Sequence, residues 1–207
     1  MGVASLGNGP HASSYKLSQV DIAPNKLARA ISRPFSLSCF RRRQAARSSV
    51  QPKRSIDPRY LPAFVRYPTA ESPGTIIIDP ASRYLYLVLE DGTAKRYGVG
   101  VGRQGFGWSG TVQVARKAEW PGWTPPAAMR KRQPELPQYM EGGPNNPLGA
   151  RALYLYKGGR DTLYRIHGSN EPWTIGHAVS SGCIRMRNED VTDLYMRVGI
   201  GTKVVVL

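Results

Sequence analysis

Two side chains in this 207-residue chain, Cys183 and His167, have the types and spacing of a nucleophile and its base. A free cysteine thiol has a pKa of about 8.5 and is mostly protonated at neutral pH. A neighbouring imidazole can take that proton and later deliver it to a leaving amine. The pair is 16 residues apart, in Tyr164-Arg165-Ile166-His167-Gly168-Ser169-Asn170 and Ser180-Ser181-Gly182-Cys183-Ile184-Arg185-Met186. His167 is expected to end a strand and Cys183 to begin one, and a Gly-rich loop of that length brings two strand ends side by side. In an extended Cys183–Met186 run, alternation sends Cys183 and Arg185 to one face and Ile184 and Met186 to the other. A guanidinium beside the thiol favours the thiolate and offers a bidentate grip on a substrate carboxylate. Gly182 lets substrate and backbone approach closely, and the neighbouring N–H groups are candidates for an oxyanion hole.

Each of these residues also has a plainer reading. A lone cysteine serves as a small buried hydrophobe, a lone histidine as a polar group satisfied by its neighbours, and Arg185 as an edge-strand charge. Cys183, His167 and His177 together would be the ligands of a metal site, but no CxxC or HxxxH pair and no fourth ligand accompany them. No metal and no cofactor are therefore expected. His177 competes for the role of base, yet it falls on the loop rather than at a strand end, so His167 is preferred.

The elements that must hold this constellation are mostly short strands. Thr75-Ile76-Ile77-Ile78 is a buried-strand run closed by the turn signal Asp79-Pro80. Arg83–Leu89 alternates, and Asp91-Gly92 turns it back into Lys95–Val101 as a hairpin. Further strands are expected at Thr111–Ala115, Ala152–Tyr156, Leu163–His167, Gly182–Met186 and Lys203–Leu207. The predicted class is mostly β, a mixed β-sandwich or barrel-like catalytic domain. One short C-terminal helix is expected, with Asn188 as its cap, Glu189 and Asp190 in its first turn, and an apolar face of Val191, Leu194, Tyr195 and Val198. Strands stop between about residues 118 and 149, and the Trp120–Gly149 insert is long enough to be a functional wall or lid. Packing of Trp120 and Trp123 onto the body of the domain is the simpler alternative.

Charge divides the chain. The net charge is +15, of which residues 1–60 carry +9 and the remaining residues +6. Residues 1–58 read as a basic, disordered N-terminal extension, rich in Ser, Arg, Pro and Gly and without periodicity. No nucleic-acid module surrounds Arg41-Arg42-Arg43, so nucleic acid is not an expected partner, whereas an anionic polymer such as cell-wall material is compatible with this charge. The two cysteines are Cys39 and Cys183, and a disulfide between them would consume the candidate nucleophile. No apolar run is long enough to span a membrane, and residues 1–50 hold no recognisable signal-peptide core.

Residues 73–207 resemble the L,D-transpeptidase catalytic domain, the YkuD family. The resemblance rests on His167-Gly168, the 16-residue step to Ser180-x-Gly182-Cys183-Ile184-Arg185-Met186, and the following Asn188-x-Asp190. Some branches of the family have His before the Gly-Cys pair, where this chain has Ser181. The resemblance implies a peptidoglycan transferase of cell-wall biogenesis and cell shape, working without a cofactor in the periplasm or at the wall. Its partners would be stem peptides, and possible acceptors include a protein to be anchored to the wall. Cys183 matches the nucleophile, His167 the general base and acid, and Gly168 the residue whose carbonyl orients that imidazole. Ser180, Gly182 and Arg185 match substrate-side positions around the thiol. Two further readings share these residues: an L,D-carboxypeptidase with water as acceptor, and a non-catalytic peptidoglycan-binding module.

Overall fold

The computed structural model describes residues 55–207; Cys39 and nearly all of the expected basic extension lie outside the described residues. In chain order the strands are β1 (Ala63–Arg66), β2 (Ile76–Asp79), β3 (Tyr84–Val88), β4 (Thr93–Gly98), β5 (Val101–Gly102) and β6 (Gly110–Glu119). After a short helix α1 (Ala127–Arg132) come β7 (Arg151–Lys157), β8 (Arg160–His167), β9 (Ala178–Ser180) and β10 (Ile184–Arg185). Helix α2 (Asn188–Arg197) and strand β11 (Lys203–Val206) complete the described part.

Nine of these strands form one sheet in the order β1-β4-β3-β2-β11-β6-β7-β8-β10, while β5 and β9 pair separately. Ile76-Ile77-Ile78 is buried because β2 runs between β3 and β11, with both faces covered. The Asp91-Gly92 hairpin forms as expected: both residues have positive φ, 56° and 66°, as the turn between β3 and β4 requires. Gly158-Gly159 (φ 55° and 77°) turns β7 into β8 in the same way.

The sheet curls until its ends approach each other. Gly100, just after β4, exchanges two backbone hydrogen bonds with Arg185 of β10 (2.9 and 2.8 Å). The barrel-like expectation is met by this closure. Inside it, Ile76, Ile78, Leu85, Val114, Leu153, Leu155 and Ile166 are fully buried, and α2 packs across β7 and β8 with Val191 and Leu194 inward. Each such aliphatic side chain contributes about 1.5–3 kcal/mol by leaving water.

One sequence expectation changes on contact with the structure. Asn188 does not cap α2. The N-cap is Arg187, which lacks a side-chain cap bond and instead reaches into the first turn, with paired contacts of 2.8 Å to the buried carboxylate of Asp190. Asn188 Oδ1 is engaged elsewhere, accepting from the N–H groups of Ala150 (2.9 Å) and Ser169 (3.2 Å). Further structure lies ahead of residue 73. Tyr60 is buried and β1 pairs with β4, so ordered packing begins upstream of residue 73. Tyr60 occupies space that a Cβ at Gly98 or Gly176 would fill. Periodicity could not reveal β1, because it is an edge strand whose Phe64 faces solvent.

Candidate active site

The site is built where β8 and β10 run side by side. They pair in parallel, Ile184 opposite Ile166 and Arg185 opposite His167. This register sets Arg185 beside His167, and alternation places Cys183, one step before β10, on the same face as both. Ile184 and Met186 point into the core, as the sequence pattern predicted. Cys183, His167, Ser180 and Arg185 all line one cavity of about 370 Å³.

His167 is buried, and its Nδ1 lies 2.6 Å from the carbonyl of Gly168. A carbonyl oxygen only accepts, so Nδ1 carries the hydrogen and Nε2 keeps its lone pair. Burial, and then the positive charge of Arg185, push the imidazole pKa down to about 4; the Gly168 carbonyl opposes them. The ring is therefore neutral at pH 7 and able to accept a proton. Burial pushes the Cys183 thiol up, against the Arg165 N–H and the charges of Arg165 and Arg185. A protonated thiol and a neutral imidazole thus form the resting pair. The thiol itself points to the carbonyl of Leu163, 3.8 Å away.

Gly168 and Asn188 act together. A side chain at Gly168 would meet Asn188 Oδ1 at 2.2 Å, so only glycine permits the approach that ties the Ser169 and Ala150 amides to one oxygen. Asn188 thereby anchors the segment whose carbonyl orients His167. Sequence reasoning singled out Asn188 but assigned it to the helix.

Ser180 is buried with its hydroxyl fully engaged, donating to the Cys183 carbonyl (2.6 Å) and accepting from the Gly182 N–H (3.1 Å). It braces the turn that carries Cys183. The same bond occupies the Gly182 N–H, which removes it from the candidates for an oxyanion hole. Glycine is needed at 182 for a further reason: its φ is 110°, and a Cβ would fall 2.4 Å from the Tyr164 ring. That ring stacks on Trp108, centroids 4.6 Å apart, and the Trp108 indole donates to the Gly182 carbonyl at 3.3 Å.

The Trp120–Gly149 insert supplies the opposite wall through Trp123, Met129, Arg132 and Leu148. Trp123 pairs with Met140 through the backbone, and buried Asn146 binds the Met140 and Glu141 carbonyls. Trp120, by contrast, is largely exposed. His177 is exposed and does not line the cavity. Among the described residues no three His, Cys, Asp or Glu side chains cluster as metal ligands, and no helix is long and apolar enough to cross a membrane.

Leu163 and Glu171 went unnoticed in the sequence. Leu163 sits in a register shift between β7 and β8 with φ 63°, its N–H bound to Asp161 (2.8 Å), its side chain exposed and its carbonyl 3.8 Å from the thiol. Glu171 reaches Arg185 at 3.1 Å. Neither leaves a local sequence signal, since one follows from strand register and the other from a loop crossing back.

The family model described as the L,D-transpeptidase catalytic domain, YkuD, matches residues 73–206. The chain is 36% identical over 155 residues to the probable L,D-transpeptidase ErfK/SrfK of Escherichia coli K12, covering 71% of this chain and 48% of that protein. It is 37% identical over 152 residues to the probable L,D-transpeptidase YbiS of the same strain, covering 70% and 47%. The chain thus spans about half the length of the curated relatives it matches. A crystal structure from Brucella melitensis, named a probable carnitine operon oxidoreductase, CaiA, is 51% identical with a TM-score of 0.51. That match covers 75% of this chain and 99% of the other, under a name that speaks of different chemistry. With a family model over residues 73–206 and the His167, Cys183 and Arg185 pocket lying inside the match, this chain belongs to the L,D-transpeptidase catalytic domain (YkuD) family.

Proposed function

We propose that this chain is a cysteine acyltransferase that acts on peptidoglycan stem peptides. Cys183 attacks the carbonyl joining the third stem residue, a diaminopimelate, to the fourth, D-alanine. His167 Nε2 takes the thiol proton and passes it to the departing nitrogen, so D-alanine leaves as the free amine and the acyl group remains as a thioester on Sγ. An amine from a second stem, or from a protein to be anchored, then attacks the thioester. Its proton passes through His167 back to the sulfur, and an amide replaces the thioester.

The observation that carries this reading is the convergence of Cys183, Arg185 and a neutral, Gly168-oriented His167 on one cavity. Gly168 takes the part that a carboxylate plays in other triads, because its carbonyl settles the tautomer without adding charge. Ser180 and Gly182 support the nucleophile's turn, and Arg185 is placed to bind a carboxylate beside the thiol. The apolar wall from Trp123 to Leu148 would shield a thioester from water and so favour transfer over hydrolysis. A wall-building role places the protein where peptidoglycan lies, in the periplasm or against the wall. Residues 73–207 form the catalytic domain in this reading.

Intact-mass spectrometry with a disaccharide-tetrapeptide tests the proposal. An adduct equal to the donor minus D-alanine, absent from Cys183→Ala, is the expected result. Release of D-alanine with a free acid as the sole product, even with an acceptor stem present, would identify a carboxypeptidase. A folded protein with a free thiol that forms no adduct and releases no D-alanine would leave a binding module.

A further inference from the structure

The ion pair between Arg185, which lines the cavity, and Glu171, which does not, has no part in the chemistry just described. Arg185 Nη1 meets Glu171 Oε2 at 3.1 Å through a single contact. Glu171 is nearly half exposed, whereas Arg185 is mostly covered. The Nε–H of Arg185 is buried with no hydrogen-bond partner among the described residues. A buried guanidinium N–H left unpaired carries a desolvation penalty.

Arg185 also sits at a telling distance from the nucleophile. Two residues along an extended strand separate it from Cys183, about 6.6 Å between α-carbons. In a stem ending in D-alanine, the carbonyl under attack and the terminal carboxylate are one residue apart, about 3.6 Å. A stem with its scissile carbonyl at Sγ therefore brings its terminal carboxylate within reach of the long Arg185 side chain.

From these observations, and resting on the acyltransferase reading, we infer that Glu171 is an internal stand-in for the substrate's terminal carboxylate. It holds Arg185 before the donor stem binds, yields it to the stem's C-terminal carboxylate, and reclaims it as D-alanine departs. Glu171 is thus a specificity-determining residue, setting how strongly the enzyme prefers a stem with a free C-terminus. An exposed carboxylate on one N–H is easily displaced. Glu171 is anchored only through its backbone, its N–H donating to Ser169 Oγ (2.9 Å) and its carbonyl accepting from Thr174 Oγ1 (2.7 Å), so its side chain can swing without moving the loop.

The test compares two donors, a tetrapeptide stem ending in D-alanine and the same stem ending in D-alaninamide. Acylation is followed by intact mass, and KM is measured for the parent, Glu171→Gln and Arg185→Gln. The parent should prefer the acid, and Arg185→Gln should abolish the preference. Glu171→Gln should lower KM for the acid relative to the amide by up to about fivefold, the equivalent of one exposed ion pair. The stem amide keeps its other carboxylates, so a general loss of negative charge would move both KM values together and leave their ratio alone. An unchanged ratio, or a KM for the acid that rises relative to the amide because Glu171 merely braces Arg185, would overturn the inference. So would a parent enzyme that acylates on both donors without preference, a result that leaves the acyltransferase reading standing. No thioester from either donor would remove that reading and the inference with it. If Glu171→Gln fails to fold, Glu171→Ala makes the same change in charge, with the same expected ratio.

Discussion

Replacing His167 with Gln tests the electrostatics of the site without needing a substrate. The imidazole has a pKa of about 4 in the folded chain, chiefly through burial, against an ordinary value of 6.5. The unfolded chain therefore binds the proton more readily, and between pH 6.5 and 4 stability must fall as pH falls. From pH 7 the loss amounts to about 2 kcal/mol at pH 5 and about 3 kcal/mol at pH 4. Gln can still donate to the Gly168 carbonyl but does not titrate. Urea unfolding at pH 7, 5 and 4 should thus show the parent losing about 3 kcal/mol more than His167→Gln across the range. Other titrating groups are common to both proteins and cancel in the difference. Arg185 is the second cause of the depressed pKa, so Arg185→Gln should shrink the acid-dependent loss without abolishing it. Equal acid sensitivity in the parent and His167→Gln would refute the argument that the imidazole is held neutral by its surroundings. The same shift implies that His167 remains about 90% unprotonated at pH 5, where an ordinary histidine is about 97% protonated.

Three other outcomes follow from the packing. Asn188→Leu removes the oxygen shared by the Ala150 and Ser169 amides, and thermal unfolding should report a loss of about 2 kcal/mol or more, with thiol acylation slowed because Gly168 loses its anchor. Gly182→Ala forces a Cβ toward the Tyr164 ring at a φ of 110°, and should destabilise by about 2 kcal/mol and slow Cys183 alkylation at fixed pH. A chain beginning at Ser55 should acylate like the full-length protein. One beginning at Leu61 lacks Tyr60, which is buried against Gly98 and Gly176, and should be about 3 kcal/mol less stable in urea.

The His167-Gly168 and Ser180-x-Gly182-Cys183-Ile184-Arg185 runs were legible because strand alternation is a local property: it assigns Cys183 and Arg185 to one face whatever they pack against. The β-branched run at Ile76–Ile78, the Asp91-Gly92 turn and the apolar stripe of Val191, Leu194 and Val198 were legible for the same reason. Each element states its own period and its own turn chemistry. Asn188 shows where such reading stops. A local rule made it a cap, but two amides from distant segments compete for its oxygen, and burial makes those bonds the more valuable.

What the sequence alone determined was the strand-rich class, the C-terminal helix and the identity of a thiol–imidazole–guanidinium set. The tertiary structure alone decided that β8 and β10 pair in a register setting Arg185 against His167. It also decided that Tyr60 fills the space beside Gly98 and Gly176, that Leu163 turns its carbonyl to the thiol, and that Glu171 holds Arg185. These are contacts between segments far apart in the chain or turned by a bulge, where no period of 2 or 3.6 carries information. Burial also sets the protonation states, since the same imidazole and thiol in water would titrate near their ordinary values.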